Sequence, residues 1–169
     1  MRGVVVALGN FDGVHLGHQE VLRRAAEEGR RGGMKVVVAT FDPHPRAVLG
    51  AGDPPKLLTP VGLRREVLLG YGADEVVEIP FDLVLSRKSP EQFVHDVLVG
   101  ELGAEVVVVG ENFRFGHRAA GDVDDLRRLM RESGGEAVAV EVRGAGLERG
   151  ISSTRIRSLV SEGKVAEAA

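Results

Sequence analysis

The sequence predicts a doubly wound α/β domain built on a mostly parallel, five-stranded sheet with helices on both faces. Two observations carry that prediction. The apolar runs are short, Val-rich and continuous rather than alternating, which suits parallel strands covered on both sides. Between them lie stretches of helical periodicity with recognisable start and stop residues, and such strand–helix alternation implies right-handed βαβ units. At 169 residues, the chain fits one domain spanning 1–169, by the prior of roughly 150 residues per domain.

In chain order, the first strand is predicted at Val4–Leu8. A helix follows over His18–Arg30, with Val21, Leu22, Ala25 and Ala26 on one side and Gly29, Gly32 and Gly33 near its end. Lys35–Thr40 is the second strand. The stretch Asp42–Leu58 holds Pro43, Pro45, Pro54 and Pro55 and shows no clear element; loops beyond about 12–15 residues are more often functional or mobile than neutral. Thr59 reads as the N-cap of a helix over Pro60–Gly70, with Pro at its first position. Glu75–Ile79 is the third strand, and Ser89 caps a helix over Pro90–Leu102. Glu105–Gly110 is the fourth strand. Asp122 caps Val123–Glu132, where Val123, Leu126 and Met130 recur at helical spacing before Gly134-Gly135 stops the run. Glu136–Val142 is the fifth strand, and a last helix opens at Ser152–Thr154.

Composition narrows the function. The chain has no Cys, which excludes a disulfide, a Cys-bound zinc and a thiol nucleophile. Twenty-two basic residues against 25 acidic give a net charge of −3, which argues against general electrostatic binding of nucleic acid. No window of about 18 apolar residues is present, so no membrane-spanning helix is expected. The N-terminal apolar run stops at Gly9-Asn10 with no small-residue cleavage pattern, as a buried strand would and a signal peptide would not. A soluble, cytoplasmic protein is the expectation.

In an open α/β sheet the ligand crevice lies beyond the carboxyl ends of the strands, near the switch point. The chemistry-bearing segments follow strands, as that rule requires. After the first strand comes GNFDGVHLGH, residues 9–18. A Gly-bearing turn leads into His15-x-Gly17-His18 at a helix start, where unpaired N–H groups and the positive end of the dipole favour an anion. Gly17 removes a side chain where a phosphate would approach the backbone. Neither a P-loop nor G-x-G-x-x-G is present. Near the C-terminus, Ser152, Ser153 and Thr154 open the last helix with Arg155 and Arg157 in its first turn. Alone, this reads as a Ser-rich helix cap. Arg at a helix start opposes the macrodipole, however, and a bound anion would explain the placement.

Two further segments follow strands. TFDPHPR, residues 40–46, locks His44 between two prolines; GENFRFG, residues 110–116, alternates Phe113 and Phe115 with Asn112 and Arg114. Aromatic faces, an amide and a guanidinium suit a flat heteroaromatic ligand bearing a phosphate, although both rings fit core packing equally well. His44, with His15, His18 and Asp42, also admits a metal site, but no third ligand stands at a fixed spacing.

Together these segments resemble the adenylyltransferase domain of prokaryotic bifunctional FAD synthetase, the riboflavin kinase/FMN adenylyltransferase family. GNFDGVHLGHQ, TFDPHPR, LLTP, Pro80-Phe81-Asp82, VVVGENFRFG with AGDV, and ISSTRIR occur in the family's order from Gly9 to Arg157. The resemblance implies a Rossmann-like nucleotidyltransferase fold and the reaction ATP + FMN giving FAD + pyrophosphate. It implies that Gly9, Asn10, Phe11, Asp12 and Gly17 line the ATP site and that His15 and His18 contact the triphosphate. Ser152, Ser153, Thr154 and Arg157 would hold the β- and γ-phosphates, with Arg157 meeting the departing pyrophosphate. His44, Asn112 and Phe113 would face FMN. Mg²⁺ is expected to accompany ATP, with no protein ligand identified for it.

Leu85 and Lys88 depart from the family, which commonly has Phe and Leu there, and this touches the flavin side alone. His95 reads as an ordinary helix residue, and His117 matches no motif. Family members usually continue into a C-terminal riboflavin kinase module, for which 169 residues leave no room. FAD synthesis without riboflavin phosphorylation is therefore expected. Two other readings stay open: a different phosphorylated acceptor, such as a pantetheine or nicotinamide mononucleotide, and a nucleotide- or flavin-binding module without turnover.

Overall fold

A computed structural model describes residues 3–50, 56–141 and 152–169. Five strands form one sheet: β1 (Val4–Leu8), β2 (Lys35–Asp42), β3 (Glu75–Pro80), β4 (Ala104–Gly110) and β5 (Glu136–Val140). Their order is β3-β2-β1-β4-β5, and all four pairings are parallel. β1 is central, and the chain leaves it first for one edge and later for the other. The carboxyl ends of β1 and β4 therefore flank the switch point, where a crevice opens because their connections depart to opposite sides.

Successive β1 side chains serve opposite faces. Val5 and Ala7 pack with Val36, Val38 and Val108 under α1 (Leu16–Gly32) and α3 (Val61–Gly70). Val6 and Leu8 pack with Val107 and Val109 under the chain from Phe93 to Leu98 and α6 (Val123–Glu132). This two-sided burial is the reason the strands read as unbroken apolar runs.

Several element bounds differ from expectation for identifiable reasons. α1 begins at Leu16, two residues before His18, because the His15 side chain is its N-cap: Nδ1 accepts from the His18 amide at 3.3 Å. β2 runs on to Asp42 because Phe41 and Asp42 still pair with Ile79 and Pro80. Thr59 does not cap α3. The cap position is Pro60, and the Thr59 hydroxyl instead accepts from the Gly13 amide at 3.1 Å.

Ser89 does cap its helix, in a reciprocal box with Gln92. After one turn, α5 (Pro90–Gln92), the chain widens into a π-helix over Phe93–Glu101. Within the stretch expected to lack structure, α2 (Pro45–Leu49) forms behind a His44 cap. After β3, where no helix was expected, α4 (Leu83–Ser86) forms behind Asp82. Residues 142 and 151 of the fifth strand and last motif lie outside the described residues. α7 (Ser153–Ser161) starts where expected, with the Ser152 side chain accepting from the Arg155 amide at 3.1 Å. A short α8 (Val165–Ala168) follows it.

Candidate active site

One cavity of about 850 Å³ opens at the switch point, within the range of small-molecule sites. The residues that the resemblance assigns to ATP and FMN line it, whereas Asp42 and Arg155 do not. The loop after β1 contributes Gly9, Asn10, Phe11 and Asp12, and α1 contributes Gly17 and the histidine pair. α7 contributes Ser152, Ser153, Thr154 and Arg157. His44, Asn112 and Phe113 line it too, with Phe41, Phe81 and Leu85, and His44 is close enough to Arg157 and Asp12 to feel both charges.

The β1–α1 turn is strained. Phe11 and Val14 take left-handed φ values of 48° and 37°, a conformation that costs roughly 1–3 kcal/mol per non-Gly residue and persists only where the surroundings enforce it. Gly13, at φ 83°, has no alternative, since a Cβ there would lie 2.8 Å from the Leu58 side chain. Phe11 is buried in the core beneath the turn. The Asn10 carbonyl accepts from the Thr40 hydroxyl at 3.0 Å and from Arg64 Nη1 at 3.4 Å.

Asp12 is the hub of this end. It is 1% exposed; its carboxylate accepts from the Leu58 amide at 2.9 Å, from the Thr59 amide at 2.9 Å and from Arg157 Nη2. Burial pushes its pKa up, yet the two amides and the Arg157 charge together hold it below the usual carboxylate range. Arg157 Nε also donates to the Lys56 carbonyl at 2.8 Å, and the Ser153 hydroxyl donates to the Asp12 carbonyl at 2.7 Å. One carboxylate thus joins the β1 loop, the strap over residues 56–59 and α7. Asp12 and Arg157 were read from the sequence as separate ATP contacts; in the structure they are partners.

The rings of His15 and His18 stack with centroids 3.6 Å apart and planes 18° from parallel, and Phe11 meets His18 edge-on at 5.2 Å. Because His15 Nδ1 accepts a hydrogen bond, its ring proton sits on Nε2, making that atom a donor. Burial lowers the His15 pKa. Burial, reinforced by the His15 charge and opposed by Asp12, pushes His18 down to about 3. Both rings are therefore neutral hydrogen-bonding groups near pH 7. Asn10 Oδ1 and His18 Nδ1 are buried with no hydrogen-bond partner, an arrangement suited to polar groups of a ligand.

At the opposite end the walls are aromatic. Phe81 meets Phe41 edge-on at 5.8 Å, Phe41 leans on Phe93 at 6.4 Å, Phe93 on Phe115 at 5.9 Å, and Phe115 stacks with Phe113 at 5.8 Å. Phe115 is buried and Phe113 half-buried, and both rings line the cavity while packing on the same core cluster. His44 caps α2 through Nδ1, which accepts from the Arg46 amide at 3.2 Å. Burial and then the Arg157 charge lower the His44 pKa, which places it under the field of the phosphate-side arginine.

Sequence reasoning missed the strap over 56–59 as a structural partner of Asp12. It also missed Arg64, 3% exposed on α3, and the row formed by Phe41, Phe81 and Phe93. Phe41 and Phe81 each end or follow a strand, a signal that could have found them. Among the described residues no three or more His, Cys, Asp or Glu side chains gather as a metal site.

Two helix starts rich in donors at the switch point of a parallel sheet make an anion-favouring crevice in an α/β fold. The comparisons with known proteins give the family. A family model described as FAD synthetase matches residues 1–155, and the chain belongs to that family. It is 38% identical over 97% of its length to a bifunctional riboflavin kinase/FMN adenylyltransferase of Listeria monocytogenes. It is 33% identical over 98% to the enzyme of that name from Escherichia coli K12. The chain spans about half the length of these two relatives, 52% in each case. A shorter relative from Geobacillus thermodenitrificans is 36% identical, and the chain covers 86% of it.

Among solved structures, one described as a macrolide-efflux protein from Streptococcus pneumoniae superimposes with a TM-score of 0.89 at 29% identity. That match covers 99% of this chain and 63% of that one. Among the described residues no helix is long and apolar enough to cross a membrane.

Proposed function

We propose that residues 1–169 form an FMN adenylyltransferase domain, which transfers AMP from ATP to FMN to give FAD and pyrophosphate. The observation that supports this reading best is the mixed lining of the cavity at the switch point. The histidine pair, the α7 start and Arg157 share it with Phe41, Phe81, Phe93, Phe113 and Phe115, as a nucleotide phosphate chain next to a flavin ring requires, and Arg46, Arg114 and Arg118 add further positive charge to its walls. In the relatives of about twice this length, the name joins a kinase to the adenylyltransferase. The FAD synthetase match over residues 1–155 supports reading this stretch as the part that carries the second activity.

In the proposed step a terminal phosphate oxygen of FMN forms a bond to the α-phosphorus of ATP. The bond from that phosphorus to the oxygen bridging to the β-phosphate breaks, and pyrophosphate leaves in line on the opposite side with the electron pair. No protein nucleophile takes part. Catalysis comes from positioning and from charge stabilisation by preorganised donors. His15 Nε2–H and the His18 ring would meet charge developing near the α-phosphate. Ser152, Ser153, Thr154 and the α7 start would hold the β- and γ-phosphates, beside Arg157. His44, Asn112 and Phe113 would face FMN.

Mg²⁺ supplies charge neutralisation on a nucleoside triphosphate. The donor set described here does not fit a protein-held cation, since Asp12 is committed to Arg157 and two amides. The ion would arrive on the nucleotide's own phosphate oxygens.

The test is incubation of the protein with ATP, Mg²⁺ and FMN, following FAD and pyrophosphate. The expected result is one FAD for each pyrophosphate. Faster adenylyl transfer to phosphopantetheine or nicotinamide mononucleotide than to FMN would overturn the acceptor. Binding of both substrates with no pyrophosphate would make the chain a binding module.

A further inference from the structure

The wall that follows β4 carries Asn112 and Phe113 to the cavity, and it also carries a histidine that no motif explains. His117 Nδ1 lies 3.0 Å from the Ser86 carbonyl oxygen at the end of α4. A carbonyl can only accept, so Nδ1–H is the donor. The main-chain N–H of His117 donates to the Lys88 carbonyl at 2.8 Å. One residue thus ties the wall after β4 to the wall after β3, twice, across 31 and 29 positions of sequence. The anchor is itself held, because Lys88 Nζ pairs with Asp96 on the π-helix at 2.7 Å.

The surrounding backbone is shaped around this tie. Gly116 takes φ 77°, and a Cβ there would lie 2.8 Å from Pro90. Arg118 and Ala119 both sit at φ 54°, a left-handed pair that non-Gly residues adopt only when held. The Arg114 guanidinium folds across the turn and donates to the Ala119 carbonyl at 3.1 and 2.9 Å. Gly116, His117, Arg118 and Ala119 all line the cavity, as do Leu85 and Ser86 from the opposite wall. The position of Leu85 and Lys88 inside this tie gives their departure from the family pattern a physical setting. Leu85 and Phe113 both pack against the same core cluster, and the Lys88 side chain is the one that pairs with Asp96.

We infer that His117 is a positioning residue for the aromatic end of the cavity. By clamping residues 112–119 to the Ser86–Lys88 segment, it holds Asn112 and Phe113 in register with the wall that bears Leu85. It acts through that loop, so it governs the affinity for the flavin acceptor rather than the transfer step. This rests on the FMN reading given above.

The test uses the purified chain and FMN itself. His117→Ala removes the Ser86 bond, and His117→Asn restores a donor near the same place. Flavin fluorescence titration without ATP gives the FMN Kd, and steady-state FAD formation gives kcat and each KM. His117→Ala is expected to raise the FMN Kd and KM about five- to tenfold, with kcat and the ATP KM within about twofold. His117→Asn should return most of the affinity. His95→Ala, on an exposed ring, should change nothing. Unaltered FMN affinity in His117→Ala, or equal losses for ATP and FMN, would overturn the inference. If the parent chain binds no FMN and makes no FAD, it is the functional reading that fails instead, so the two failures are distinguishable.

Discussion

The histidine end of the cavity is organised around one buried carboxylate that ties its own loop by directional bonds to two other segments, whereas the aromatic end is organised by ring packing and loop anchors. At the first end Asp12, Arg157, Ser153 and the strap amides fix one another at hydrogen-bond distance. At the second, five phenylalanines contact in sequence at 5.8–6.4 Å, and two left-handed residues hold the rim. The difference teaches that the two ends should fail differently. Directional networks among buried charges lose a great deal when one member goes, because the partner is left unpaired. Packed rings lose area gradually.

The largest effect should follow Asp12→Ala, which leaves Arg157 beside a cavity without its carboxylate and strands the Leu58 and Thr59 amides. Breaking such a pair costs about 3–5 kcal/mol, readable as a drop in the denaturation midpoint. A loss under about 1 kcal/mol would mean the hub is not holding the three segments together.

Acid comes next. The His18 pKa falls from its ordinary value of 6.5 to about 3 on folding, so between those values the unfolded chain binds more protons than the folded one. That contribution to stability is complete above about pH 6.5 and shrinks as pH falls, by at most about 1.4 kcal/mol per pH unit. Asp12, lowered below 3.8, adds a second loss in the same direction at still lower pH. His18→Phe should flatten the stability profile above about pH 4. Stability that rises on acidification from neutrality would contradict the neutral, buried assignment.

At the aromatic end, Phe113→Ala should weaken FMN about tenfold and leave the ATP KM unchanged. Equal losses for both substrates would blur the division between the ends. The smallest effect belongs to Arg23→Ala, on the outer face of α1, where exposed pairs with Glu20 and Glu27 contribute little. Its melting temperature should match the parent's, and a clear drop would give that face a role outside this account.

What the sequence disclosed and what it withheld follow from the same contrast. β1 and α6 were readable to the residue, because a Gly turn and an Asp122–Asp125 capping box are local signals. The place of the histidine pair at a helix start was readable for the same reason, since its spacing and its position after a strand are local. The ion pair between Asp12 and Arg157 spans 145 positions, and only the sheet order brings its ends together. Thr59 has the sequence of a helix cap, but Gly13 claims its hydroxyl through tertiary approach. α2 and α4 are too short for periodicity to register. Five phenylalanines on four segments show no common pattern until the loops after β2, β3 and β4 converge.

The most direct test of the division between the ends is one pair of readings on His18→Ala: FMN affinity by flavin fluorescence and kcat for FAD formation. The account predicts an FMN Kd within about twofold of the parent and a kcat lower by about a hundredfold or more. An unchanged kcat, or a loss of FMN affinity matching the loss of turnover, would contradict it.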